Sequence, residues 1–136
     1  MAVLEFLSIF LTGAIGYGSI EMLWRGRTHW TMLLAGGVCF VLIYLIATRM
    51  GDRLWKKWLM CACTVTAVEF AVGCLVNLRL GWNVWDYSSL PLDLMGQICP
   101  LFSFFWFLLS IPCEYLSRLI YRHVFLPARK ARKKVS

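Results

Sequence analysis

A carboxylate in the middle of an apolar run is the first residue to explain. Glu69 sits in "TVTAVEFAVGCLVNL", with greasy residues on both sides. An ionisable group in such a setting is costly unless it faces a bundle interior, a cavity or a partner. Two chemistries fit it. One is a structural carboxyl group hydrogen-bonded across a helix interface, and the other is a site that takes up a proton or a cation. On a helix advancing about 100° per residue, Ala62, Thr66, Glu69, Gly73 and Asn77 fall within an arc of about 80°. Asn77 therefore shares the face of Glu69 and is a candidate member of the same site. A second polar set lies at the ends of the apolar runs: Glu21, Arg27 and His29 in "EMLWRGRTHW", and Asp86 and Gln97 in "WNVWDYSSLPLDLMGQICP". Glu21 and Arg25 stand one helical turn apart and can pair. Acids of one stretch can also meet bases of the other, and Asp86 with Arg27 is the expected ion pair.

Other chemistries are poorly supplied. Glu21, His29 and Asp86 could serve acid and base roles, but no nucleophile with a paired base accompanies them. There is no G-x-x-x-x-G-K-[ST] phosphate loop. The six cysteines, Cys39, Cys61, Cys63, Cys74, Cys99 and Cys113, lack the C-x-x-C pairs and His partners of a zinc or redox site. Cys74 and Cys99 are the one pair that could bridge, although free thiols are favoured. No metal site and no cofactor are expected.

Such side chains need elements to hold them, and composition says which. Of 136 residues, 60% are hydrophobic and only 15% charged, against about half and about a quarter in a soluble domain. Apolar runs of about 18 residues or more mark membrane spans. Four occur, at residues 3–23, 31–48, 58–78 and 101–121. They predict an all-α integral membrane protein, a single membrane domain over 1–136 with a 79–100 loop and a basic tail at 122–136. The first run has no Lys or Arg before it and is longer than a signal-peptide core, so it reads as a retained helix. Spans one and four carry polar stripes of their own. These are Glu5, Ser8, Thr12, Gly16 and Ser19 in the first, and Ser103, Ser110, Glu114, Ser117 and Tyr121 in the fourth. Such seams of small and polar residues are packing faces in membrane bundles.

Charge sets the expected orientation. Arg49, Arg53, Lys56, Lys57 and the seven basic residues from Arg118 onward make eleven on one side, against Arg25, Arg27 and Arg79 on the other. The imbalance predicts four transmembrane helices with N-in and C-in termini. Trp24, Trp30, Trp82 and Trp85 would then mark the outer interface, and Trp55, Trp58 and Tyr121 the inner one. The net charge of +7 does not predict nucleic-acid binding, because half of the basic residues crowd the tail beside a span, where they face anionic lipid. The 82–100 stretch is too apolar to hang in water, and Pro91, Gly96 and Pro100 oppose one continuous helix. It is expected as a semi-embedded or re-entrant outer loop between helices 3 and 4, allowed only where its backbone is buried against protein or lines a cavity.

Three strings, "GSIEMLWRGRTHWTMLLAGGVCF", "VEFAVGCLVNLRLGWNVWDYSSLP" and "GQICPLFSFFW", resemble the ABC-transporter type IV, CmpB-like family of small bacterial membrane proteins, labelled ABC transporter permeases. The resemblance runs from about residue 12 to residue 110. Matching positions include Glu21, Gly26, Arg27, His29, Trp30, Gly36, Gly37, Glu69, Phe70, Gly73, Asn77, Trp85, Asp86, Tyr87, Ser88, Pro91, Gly96 and Gln97. Asp93 departs from the pattern, where relatives more often carry Asn. The resemblance implies a multi-pass protein of the bacterial plasma membrane with a role in transport. It joins the residue-level reading on a binding set of Glu69, Asn77, Glu21, Arg27, His29, Asp86 and Gln97. Expected partners are membrane lipids, further copies of the chain or another membrane protein, and anionic lipid at the basic tail. The leading expectation is a permease component passing a small solute or ion. A non-transporting accessory subunit and a lipid-modifying enzyme stand behind it.

Overall fold

The computed structural model describes residues 2–51 and 53–136. The described residues are helical apart from short connections and one folded segment near residues 80–99. The helices are α1 (Val3–Arg25), α2 (Trp30–Arg49), α3 (Leu54–Gly73), α4 (Pro100–Ile120) and α5 (Leu126–Val135). Among the described residues, four helical stretches are long and apolar enough to cross a membrane: Val3–Arg25, Trp30–Arg49, Leu54–Arg79 and Pro100–Val135. Their ends follow local chemistry. Gly26 takes a left-handed turn and its N–H closes on the Met22 carbonyl, which stops α1. The His29 ring accepts the Thr31 N–H to start α2. Pro100, whose missing N–H costs nothing in a first turn, opens α4.

Two of the long helices continue through π-helical stretches, and the fourth runs well past its expected end at residue 121. After Gly73 the third span widens into a π-helical stretch, Cys74–Arg79, and the fourth does the same at Tyr121–Phe125 before α5. The basic tail is thus helical. Arg129 of α5 returns to the start of α1, its Nη2 lying 2.6 Å from Glu5 Oε2. Tyr44 of α2 donates its hydroxyl to the other oxygen of Glu5. The two ends of the chain therefore meet at one end of the bundle, and the 80–99 segment caps the opposite end.

α2 is the hub. α1 packs along it, and α3 and α4 pack on its other flank and on each other. Close approach of α1 and α2 depends on small residues: a Cβ at Gly36 would strike the Tyr17 side chain, and one at Gly37 the Phe10 ring. Apolar packing is concentrated in two layers. Ile9, Phe40, Val41 and Tyr44 form one near the chain ends, and Met32, Val76, Val84 and Trp85 form the other beneath the cap. The outer faces are apolar too, with Leu11, Ile15, Leu34 and Phe104 all exposed, as expected where lipid replaces water.

The polar seams of α3 and α4 face inward as expected, with Glu69, Gly73, Asn77, Ser110, Glu114 and Ser117 buried. The seam of α1 is rotated. Its buried residues are Glu5, Ile9, Gly13, Ala14, Gly18 and Glu21, and of the expected stripe only Glu5 is among them. Ser8, Thr12 and Ser19 instead donate to their own helix, at Leu4, Ser8 and Ile15 carbonyls. Ser110 and Ser117 of α4 bond back in the same way and are buried, so the hydroxyls do not choose the face; α1 turns Gly13 and Gly18 toward α2, where a Cβ would strike Phe40 or Leu33.

Candidate functional site: a cavity with one carboxylate

Between the two apolar layers lies a cavity of about 250 Å3 with walls from all four long helices. Thr12, Gly16, Tyr17 and Ile20 come from α1, and Ala35, Cys39 and Phe40 from α2. Val65, Val68 and Glu69 belong to α3, and Trp106, Ser110, Cys113 and Leu116 to α4. Trp85 of the cap closes one end. α1 and α4 do not pack along each other, and they meet where Tyr17 tilts against Trp106 with ring centroids 6.2 Å apart. Thr12, Gly16, Ile20 and Leu116 on either side of that gap are exposed. The gap between α1 and α4 is the open side.

Among the described residues Glu69 is the one acid in the cavity wall, and it is 8% exposed. Its Oε2 accepts the indole N–H of Trp106 at 2.8 Å, and its Oε1 accepts the hydroxyl of Tyr87 at 2.7 Å. An indole N–H can only donate, and each oxygen of the carboxyl group accepts one of the two donors, so both hydrogen bonds are met without a counter-charge. Burial lifts the Tyr87 phenol above its ordinary range and the Glu69 charge lifts it further, which keeps Tyr87 protonated and donating. Among the described residues no Lys, Arg or His pairs with Glu69. The other helical glutamates all have cations: Glu5 has Arg129 at 2.6 Å, Glu21 has Arg25 at 2.7 Å, and Glu114 has Arg118 at 2.8 Å with Lys57 at 3.6 Å.

Tyr87 belongs to the cap, which folds around two amides. Asn77, carried inward by the π-helical end of the third span, accepts the Val84 N–H at 2.7 Å and donates to Gln97 Oε1 at 2.8 Å. Gln97 in turn donates to the Met95 carbonyl, and its own carbonyl receives the Trp85 indole N–H at 3.0 Å. Gly73 is required beneath this knot, because a Cβ there would lie within 3.0 Å of both Gln97 and Trp85. Tyr87 is held from two sides: its N–H bonds the Gly96 carbonyl at 2.7 Å, and its ring stacks on Phe102 of α4 at 4.5 Å. The cap and the cavity carboxylate are thus one hydrogen-bonded unit.

The expected site residues divide into groups. Glu69, Asn77 and Gln97 come together through the cap. Glu21 binds Arg25, whose other nitrogen reaches the Val84 carbonyl at 3.3 Å. His29 caps α2 and lies against Trp30 and Trp82. Asp86 and Arg27 do not pair. Asp86 accepts the Ser88 N–H at 2.9 Å within its own turn, and Arg27 is exposed without an ion partner among the described residues. The short Asp86 side chain is satisfied by the adjacent backbone, and it is Arg25, on the last turn of α1, that reaches the cap. Glu21, His29 and Asp86 therefore hold separate local bonds and do not converge. Trp85 is not an interface anchor: it is 7% exposed, while Trp24, Trp30 and Trp82 are 78%, 57% and 47% exposed. Cys74 and Cys99 are both free thiols. At Asp93, a carboxylate oxygen accepts the Gly96 N–H at 2.8 Å, a bond that an amide oxygen could equally make. Two residues absent from the expected set, Tyr87 and Trp106, hold Glu69. Trp106 stands three residues after Ser103 and four before Ser110, on the polar seam of α4, and that spacing was its signal.

Four helices of this length with apolar exteriors define a multi-pass membrane protein. The chain belongs to the family described as "Putative ABC-transporter type IV", whose family model matches residues 10–135. No solved structure matches the chain.

Proposed function

We propose that the protein is a membrane-embedded component of a transport system, holding a small solute or ion in the Glu69 cavity beneath the 80–99 cap, which acts as its lid. The observation that carries this reading is the Tyr87 to Glu69 hydrogen bond of 2.7 Å. It ties a cavity carboxylate that has no cationic partner among the described residues to the segment that closes the cavity, so whatever displaces Tyr87 from Glu69 also loosens the lid. The excess of Lys and Arg around residues 49–57 and after residue 118 supports cytoplasmic termini and an outward-facing cap in a bacterial plasma membrane. Without a nucleotide-binding motif the chain depends on an ion gradient, further copies of itself or a partner that supplies energy.

A second reading, an accessory subunit that does not transport, draws on α5. Arg129 holds that helix against the bundle through Glu5, while Lys130, Arg132, Lys133 and Lys134 remain exposed to anionic lipid or an acidic partner. Uptake and conductance in liposomes containing only the purified protein separate the two readings. Flux from the wild type that Glu69→Gln abolishes supports transport, and liposomes that stay tight with the wild type favour the accessory subunit.

A further inference from the structure

We infer that the ligand of this cavity is an organic monocation, an ammonium group on a small apolar body, with the Glu69 carboxylate as its counter-ion. The inference rests on the cavity being a solute site, as proposed above, and adds the class of solute. It begins with charge. Glu5, Glu21 and Glu114 each have a cationic partner within 2.8 Å. Glu69 has only two neutral donors, Tyr87 and Trp106. These satisfy hydrogen bonding without cancelling the charge, and each carboxylate oxygen keeps a free lone pair. Once ionised, a carboxylate in an apolar cavity is completed by a cation that enters with the ligand.

The walls then choose among cations. Calcium takes six to eight oxygen ligands, and magnesium keeps an octahedron of them. Besides Glu69, the cavity offers only scattered hydroxyls at Thr12, Tyr17 and Ser110. Tyr17, Phe40, Trp85 and Trp106 instead present aromatic surfaces, and aromatic faces attract ammonium groups that have shed their water. The remaining lining is aliphatic and suits a hydrocarbon body. At about 250 Å3 the space falls just below the usual range for drug-sized ligands, roughly 300–1,000 Å3, so the body must be small. The open side between α1 and α4 lies along the span of the helices, where a lipophilic cation already dissolved in the membrane can enter sideways.

The probes are benzyltrimethylammonium and its uncharged isostere, neopentylbenzene, each titrated against the purified full-length protein in detergent while tryptophan fluorescence is followed. The wild type should bind the cation saturably and at least about tenfold more tightly than the isostere. Glu69→Gln should erase that preference while isostere binding stays. Gly16→Leu should remove binding of both, because a Cβ at Gly16 meets nothing within 4 Å and the added side chain can occupy the cavity without disturbing the packing. Equal affinity for cation and isostere, no saturable cation binding, or cation affinity unchanged in Glu69→Gln would each overturn the inference. Liposome flux that Gly16→Leu blocks, in a protein that does not discriminate the two probes, would overturn the solute class alone and leave the cavity as a transport site.

Discussion

Glu69 and Glu114 are both glutamates on inward-facing seams, and both are buried, at 8% and 1% exposure. Their surroundings differ in kind. Glu114 stands among cations, with the guanidinium of Arg118 at 2.8 Å and the ammonium of Lys57 at 3.6 Å, and Lys57 also donates to the Ala47 carbonyl at 3.0 Å. That cluster joins α2, α3 and α4, and Glu114 is not among the residues that line the cavity. Glu69 has neutral donors, a cavity beside it, and a link to a cap rather than to another charge. One carboxylate is part of the frame and the other is held ready. The difference shows that burial alone does not distinguish a structural acid from a functional one, whereas the charge of its partners and the space beside it do.

Mutations should separate the two most clearly at Glu114. Glu114→Gln leaves Lys57, 7% exposed, and Arg118 facing an amide. Breaking a buried pair of this kind costs roughly 3–5 kcal/mol, and denaturant titration in detergent should record a loss of that size. Next comes Asn77→Ala, which strips partners from Gln97 and from the Val84 N–H. An unsatisfied buried polar group costs about 1–3 kcal/mol. That loss should fall on the cap, seen as faster hydrogen exchange across residues 82–99 with little change in α2. Tyr87→Phe keeps the ring on Phe102 and removes one hydroxyl, so it should cost about 1 kcal/mol and raise protease sensitivity in the same segment. Arg27→Gln, at an exposed residue with no ion partner among the described residues, should stay within about 0.5 kcal/mol by thermal denaturation.

Much of the architecture was legible because it rests on period and length. Apolar runs long enough to span a bilayer became the four long helices, and the polar residues of α3 and α4 at helical spacing became their buried faces. The α1 seam differs because the close approach to α2 is made at Gly13 and Gly18, against Phe40 and Leu33, and small glycines leave no polar mark that would outweigh Ser8, Thr12 and Ser19 in the sequence. In the site, Glu69 was visible as a carboxylate in an apolar setting, and Asn77 was visible about two turns beyond it on the same face. Their connection through Gln97 and Tyr87 was not, because it depends on how a segment without periodicity folds back. Backbone turns such as the left-handed ones at Met95 and Gly96, with φ of 56° and 74°, bring Gln97 under Trp85, and no helical or strand spacing encodes them. The expected Asp86 to Arg27 pair failed for the same reason, since charge complementarity between loops cannot reveal that Asp86 already has a backbone donor two residues away.

The central claim is that Glu69 is spared from holding the fold together. It is tested most directly by measuring the unfolding free energy of Glu69→Gln beside that of Glu114→Gln in one detergent. A glutamine at 69 keeps an oxygen for the Trp106 N–H, and its amide can donate to a Tyr87 hydroxyl that turns to accept. The predicted loss for Glu69→Gln is therefore within about 1 kcal/mol, the scale of one interhelical hydrogen bond in a membrane protein, against roughly 3 kcal/mol or more for Glu114→Gln. Equal losses at the two positions would contradict the account and make Glu69 a structural residue like Glu114.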